Sequence, residues 1–268
     1  TWEDRAAFAP GVSLGAPPDA FSPDGQTWGI APFNPRTLIE TGFAALAETL
    51  RAQLRHAGML RIDHILGFER AFWVPQDGSP GAYVTMPRDA MLAIARMEAA
   101  RAGAVIVGED LGNVPEGLRA ALDASGLLGC RVAMFERDWH GHYAPDHYDE
   151  ASLTSFATHD LPTWAGWRQG LDLEARAEIS GQPVTEEARA DRAKAVAEFD
   201  LVAGTHSGSP EDLHAFIART NAVLVAIQAE DMLGIAEQPN LPGTTVEHPN
   251  WRRRLPISPG AWEQQPAL

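Results

Sequence analysis

Short apolar runs alternating with helical stretches, several of them ending on an acid, set the limits on what this chain can fold into. Met59-Leu60-Arg61-Ile62 runs into Asp63-His64, and Ala104-Val105-Ile106-Val107 runs into Gly108-Glu109-Asp110. Arg131-Val132-Ala133-Met134-Phe135 is a third run, residues 153–157 a weaker fourth leading to Thr158-His159-Asp160, and residues 222–227 a fifth. Apolar runs this short read as buried strands. Helical spacing is predicted for residues 35–56, 87–101, 115–124 and 210–220, with Pro35 suited to a first turn. Residues 172–200, rich in Ala, Glu and Arg, read as solvated helices. Strands alternating with helices imply βα units and a parallel sheet, an α/β fold. A complete (β/α)₈ barrel needs about 250 residues from its first strand onward. If the fold is a barrel, its first strands lie upstream of Thr1, and a start on Thr in place of Met also implies a fragment.

Residues 1–34 are rich in Gly, Pro and aromatics without periodicity, and read as an ordered loop because Phe21, Trp28 and Phe33 need something to pack on. No internal repeat or linker is visible, so the expectation is one catalytic-barrel portion over residues 1–268, with 1–34 as a covering loop and 172–220 as a helical surface segment. The net charge of −15 disfavours nucleic acid and anionic membrane as partners and leaves a neutral ligand open. No apolar stretch approaches the roughly 20 residues of a membrane span. The single cysteine, Cys130, permits no intrachain disulfide and fits a cytoplasmic location. It reads as a packed structural thiol.

Working residues of parallel α/β folds sit at the C-terminal ends of strands, so Asp63, Glu109 and Asp160 are expected to converge on one face. Arg61 and Asp63 are two apart on one strand and point to one side. At about 4 Å and an effective dielectric of about 20, such a pair favours the ionised Asp by up to about 4 kcal/mol. The same spacing also suits a purely structural pair. Glu109 follows an apolar strand, and partial burial would raise its pKa toward proton transfer. Asp110 is better placed to cap the next helix. His140, His142 and His147 lie in a polar loop and are expected to be solvated, and no spacing of histidines marks a metal site.

These residues sit in longer motifs that resemble the 4-α-glucanotransferases, or amylomaltases (glycoside hydrolase family 77). Gly15-Ala16-Pro17-Pro18-Asp19-Ala20-Phe21-Ser22 and Gly25-Gln26-Thr27-Trp28-Gly29 resemble the family's substrate loop. Arg61-Ile62-Asp63-His64, with Gly67-Phe68 and Phe72-Trp73-Val74-Pro75, resembles its nucleophile strand. Gly108-Glu109-Asp110-Leu111-Gly112 resembles its acid/base strand, and Thr158-His159-Asp160 the strand of its third carboxylate. The resemblance runs from about Gly15 to Arg254. It implies the C-terminal part of a (β/α)₈ TIM barrel. It implies Asp63 as nucleophile, Glu109 as acid/base and Asp160 as transition-state stabiliser in the retaining scheme. It also implies substrate contacts from Asp19, Gln26, Trp28, Arg61, Phe135, His159 and Asn240. The substrates would be maltooligosaccharides, amylose or glycogen-derived glucans, with no cofactor. The alternatives are an α-amylase-like hydrolase with the same carboxylates, a glucan-binding fragment without turnover, and a metal-dependent hydrolase.

Overall fold

The computed structural model describes residues 4–18, 24–204 and 207–264. Asp19 and Phe21 lie outside the described residues. The chain divides into two compact units, Thr1–Cys130 and Arg131–Leu268. Among the described residues, no helix is long and apolar enough to cross a membrane.

The first unit contains β1 (Val12–Ala16), β2 (Gln26–Thr27), α1 (Pro35–Glu40), α2 (Ala44–Leu54) and β3 (Met59–Ile62). It continues with β4 (Arg70–Pro75), β5 (Ala82–Thr85), α3 (Arg88–Ala102), β6 (Val105–Gly108) and α4 (Leu118–Ala124). The expected βα pairing is present: β3 and β6 are parallel, with Met59 opposite Val105 and Ile62 opposite Gly108. The core beneath them is aliphatic and includes Leu38, Leu50, Ile65, Met91, Leu92, Ile106 and Leu122. Helices α2 and α3 are joined by Glu98, a buried carboxylate that receives Arg51 Nη2 and Arg101 Nη1, each at 2.7 Å.

The expected helix over 35–56 is two helices. Asn34 caps the first, accepting from the Arg36 amide at 3.0 Å, and Phe43 at φ 63 breaks the run. The helix over 115–124 begins only at Leu118, because Gly117 stands in the left-handed region at φ 81. The aperiodic segment 1–34 is not all loop. Its β1 pairs with β2 and β4, giving an antiparallel sheet in the order β2-β1-β4-β5. Phe72-Trp73-Val74-Pro75 therefore belongs to a strand of its own, separate from β3.

The second unit takes in β7 (Gly129–Val132), which spans the division, then β8 (Arg137–Asp138), β9 (Gly141–His142) and β10 (Ser152–Ser155). There follow α5 (Trp164–Gln169), α6 (Leu171–Ser180), α7 (Glu186–Ala203), α8 (Pro210–Ala218), β11 (Leu224–Val225) and α9 (Ala229–Met232). Strands β10 and β11 are parallel, with Leu153 opposite Leu224. Here the core is aromatic. Phe199 lies 4.8 Å from Phe216 and 5.1 Å from Trp164, and Phe156 lies 5.0 Å from Trp164. Arg168 pairs with Asp200, and Arg192 with Asp172, in two-pronged bonds that tie α5 and α6 to α7. The third strand ends at Val132, three residues earlier than expected, so Phe135 falls in a turn. The fifth shrinks to two residues. His142 is buried against Phe199 at 5.1 Å, and burial pushes its imidazole down to about 4, so it is not the solvated side chain expected.

Candidate active site

In the first unit, the ends of β3 and β6 place two carboxylates beside each other. Ile62 is opposite Gly108, so the next residues, Asp63 and Glu109, leave neighbouring strand ends together. The ladder extends one step further, since the Glu109 amide donates to Ile62 O at 2.9 Å and the Ile65 amide to Glu109 O at 3.0 Å. The chain turns through His64, which adopts the left-handed conformation at φ 49. That turn aims the His64 amide at Glu109 Oε2, 2.8 Å away, while the Leu111 amide reaches Oε1 at 2.9 Å. Gly108 is needed here because a Cβ would come within 2.9 Å of the Ile65 side chain.

Glu109 is half-buried, and burial raises its pKa above the usual carboxylate value. The two amides and Arg61 oppose that shift, and Asp63 adds to it. The Asp63 side chain is 73% exposed and accepts from Arg61 Nη1 at 2.6 Å. Burial works against the Arg61 charge, but Asp63 outweighs it, and the guanidinium is held more firmly protonated. Trp28 meets the His64 ring edge-on at 5.1 Å, and its indole N–H donates to Gln26 Oε1 at 3.0 Å. Arg61, Asp63, Glu109, Gln26 and Trp28 thus form one group. Sequence reasoning passed over His64, whose role lies in its backbone. Burial also lowers its imidazole pKa.

Asp110 does not cap the next helix. It is fully buried, accepting from the Cys130 amide at 2.7 Å and from Arg119 Nε at 2.9 Å. The Cys130 thiol is buried and pushed up to about 11, mainly by that burial. That burial fits a packed structural thiol.

In the second unit, the chain continues past β10 through buried Phe156 and Ala157 before Asp160 emerges. Its amide is tied back to Thr158 Oγ1 at 3.3 Å. The residues that fix it come from the loop after α9. Asn240 Nδ2 donates to Asp160 Oδ1 at 2.5 Å, and Gln238 Nε2 to Asp160 O at 3.0 Å. His159 Nε2 lies 3.4 Å from Asp160 Oδ2, and its ring is 5.6 Å from that of Trp251. Asn250 braces the loop, accepting from the Leu241 amide at 2.9 Å and donating to Thr244 Oγ1 at 2.8 Å. His159, Asp160 and Asn240 thus form a second group, and sequence reasoning missed its supports Gln238, Asn250 and His248, whose Nε2 lies 2.9 Å from Gln238 O. Phe135, 44% exposed, belongs to this unit too. Among the described residues, no set of three or more His, Cys, Asp or Glu side chains is arranged to hold a metal ion.

A profile of glycoside hydrolase family 77, described as 4-alpha-glucanotransferase, matches residues 1–258. A 4-alpha-glucanotransferase from Mycobacterium bovis is 41% identical over 94% of this chain, and one from Haemophilus influenzae is 30% identical over 95%. The chain spans 37% and 39% of the length of these two relatives. Among solved structures, amylomaltase from Corynebacterium glutamicum is 34% identical at a TM-score of 0.85, with 93% of this chain and 39% of that one covered. Amylomaltase from Streptococcus agalactiae, solved in complex with acarbose, shares the fold at a TM-score of 0.76 and 21% identity, with 95% and 50% covered. The fold is therefore α/β and corresponds to a portion of the amylomaltase fold. With the profile covering nearly the whole chain and the relatives agreeing with it, the chain belongs to the 4-alpha-glucanotransferase family, glycoside hydrolase family 77.

Proposed function

We propose that this chain carries the catalytic carboxylates of a cytoplasmic 4-α-glucanotransferase. The enzyme would cut an α-1,4 bond of a maltooligosaccharide or amylose and pass the glucan to the 4-hydroxyl of another. Asp63 attacks the anomeric carbon and forms a covalent glycosyl-enzyme. Glu109 protonates the departing glycosidic oxygen, then takes the proton of the incoming hydroxyl. Asp160 stabilises the oxocarbenium-like transition state. Arg61, His159 and Asn240 contact the sugar or hold the groups that do. Asp19, Gln26, Trp28 and Phe135 contribute further substrate contacts.

The observation that carries this reading is the pairing of Asp63 with Glu109 at adjacent parallel strand ends. Neighbouring strands lie about 4.8 Å apart. Retaining enzymes keep their two carboxyls about 5–5.5 Å apart, so that one attacks while the other manages the proton. The two acids are also differentiated in the way that scheme needs. Asp63 is exposed beside a cation, whereas Glu109 is partly desolvated and holds its proton to higher pH. Incubating the full-length protein with maltotriose tests the reading. Glucose together with oligomers longer than maltotriose is the expected result. Glucose and maltose alone would identify a hydrolase instead.

A further inference from the structure

Asp160 takes its aim from more than the side chains that touch it. It precedes Trp164, the first residue of α5, by only a short stretch of chain, and that stretch is stiff. The Leu161 amide donates to Thr158 O at 3.1 Å, Pro162 fixes its own φ, and Thr163 and Trp164 are buried. The position of the start of α5 therefore sets where Asp160 emerges.

The start of α5 is held in turn by the chain that leads into the loop after α9. Asp231, in α9 and 2% exposed, accepts from the Trp164 amide at 2.6 Å. Thr163 Oγ1 donates to Ala236 O at 3.1 Å and accepts from the Gly166 amide at 3.1 Å. The approach is close. A Cβ on Gly166 would stand 2.2 Å from Ala236 O, so only glycine lets helix and loop meet here. The same stretch of chain goes on to Gln238 and Asn240, which bind Asp160 itself. Segments 160–166 and 231–240 are thus zipped together, with Asp231 closing one end and Asn240 the other.

The choice of residue is informative. Burying a carboxyl costs more than burying a hydroxyl or an amide. Elsewhere in the chain Asn34, Thr185 and Ser209 cap their own helices with such groups. Helix α5 likewise has its own cap in Thr163. The Asp231 bond comes from a different element, so it fixes α5 against α9, which a local cap cannot do.

We propose that Asp231 is a positioning residue for Asp160. By fixing the start of α5 against α9 it holds the turn 158–160 where Gln238 and Asn240 reach the acid. Asp231 is buried and acts through Asp160, not on the sugar. The inference rests on the role given to Asp160 in the glucan-transfer reading.

The test measures fluoride release from α-maltosyl fluoride by full-length protein, in the parent and in an Asp160→Ala background. In the parent, Asp231→Ala is expected to lower kcat roughly tenfold while KM changes less than about twofold. Asp231→Asn, which keeps the acceptor oxygen, is expected to keep most of kcat. In the Asp160→Ala background, Asp231→Ala is expected to change kcat by less than about twofold, because the group it aims is gone. Loss by the same factor in both backgrounds overturns the proposal, since general damage to the fold takes no account of Asp160. Parent-like kcat in Asp231→Ala also overturns it. Should that variant fail to fold, Thr163→Val replaces it, with a loss expected in the parent and none in the Asp160→Ala background. Equal losses there overturn the proposal in the same way. Fluoride release without longer oligomers in the parent would remove the transfer reading alone, because release reads the first chemical step whichever acceptor follows.

Discussion

Glu109 and Asp160 are held in different ways. Both Glu109 oxygens are bound by backbone amides, those of His64 and Leu111, fixed in turn by the β3–β6 ladder. Asp160 is bound by side chains from a distant loop, Asn240 on its carboxylate and Gln238 on its carbonyl. A group held by the main chain is as rigid as the sheet it belongs to, and no side-chain substitution removes its partners. A group held by side chains can be loosened one partner at a time. The two units differ in the same sense. The first packs an aliphatic core under the strands, and the second an aromatic core among helices.

The largest expected effect comes from Glu109→Gln. It keeps one of the two backbone amide bonds, sets its NH2 group against the other amide, and removes the transferable proton, so kcat/KM on natural glucans should fall about 10²–10⁴-fold. In the parent, the alkaline limb of the pH–rate profile should lie above the ordinary Glu value of about 4.3, because burial raises the Glu109 pKa. A limb at or below that value would contradict the assignment. On the other side of the comparison, Asn240→Ala should cost about ten- to a hundredfold in kcat, the worth of one charge-assisted hydrogen bond. A neutral result would mean that Asp160 is held without it.

Stability separates the units as well. Asp231 is buried, accepts from the Trp164 amide at 2.6 Å, and is pushed up to about 7 mainly by burial. The folded protein therefore holds a proton that the unfolded chain releases near pH 4, so stability should decline from about pH 4 to about pH 7 and level off above. Asp231→Asn keeps the acceptor oxygen and removes the charge. It should raise stability at pH 8 by on the order of 2–4 kcal/mol and flatten that decline, as read by denaturant titration across pH. The smallest effect is expected from Gly108→Ala. Its Cβ would press on Ile65 within 2.9 Å, costing about 1–3 kcal/mol in the same titration. If activity fell while stability held, the turn would be serving the site rather than the fold.

The sequence made the strand ends legible because apolar runs are bounded sharply by acids at Asp63 and Glu109. It could not show what the backbone does there. Nothing in the letter His at position 64 announces a left-handed turn that directs an amide at Glu109. The expectation that Asp110 caps a helix failed because its true partner, the Cys130 amide, lies on the next strand. Phe135 was set too far into its strand because Ala133 and Met134 extend the apolar run past Val132, their amides still donating to Ser155 O and Phe156 O while the chain already turns. Strand β1 escaped notice because its burial alternates onto Ser13 and Gly15, small residues that mark no apolar face. Trp251 was visible only as one tryptophan among several. Its exposure and its left-handed backbone appear once the loop after α9 is folded around Asn250.

The central claim is that Asp63 becomes covalently glycosylated. The most direct test incubates the Glu109→Gln variant with an α-maltosyl fluoride, whose leaving group needs no acid, and maps the product by peptide mass spectrometry. The expected result is one maltosyl adduct on the peptide carrying Asp63. An adduct on another residue, or none while the fluoride is still consumed, would contradict the account.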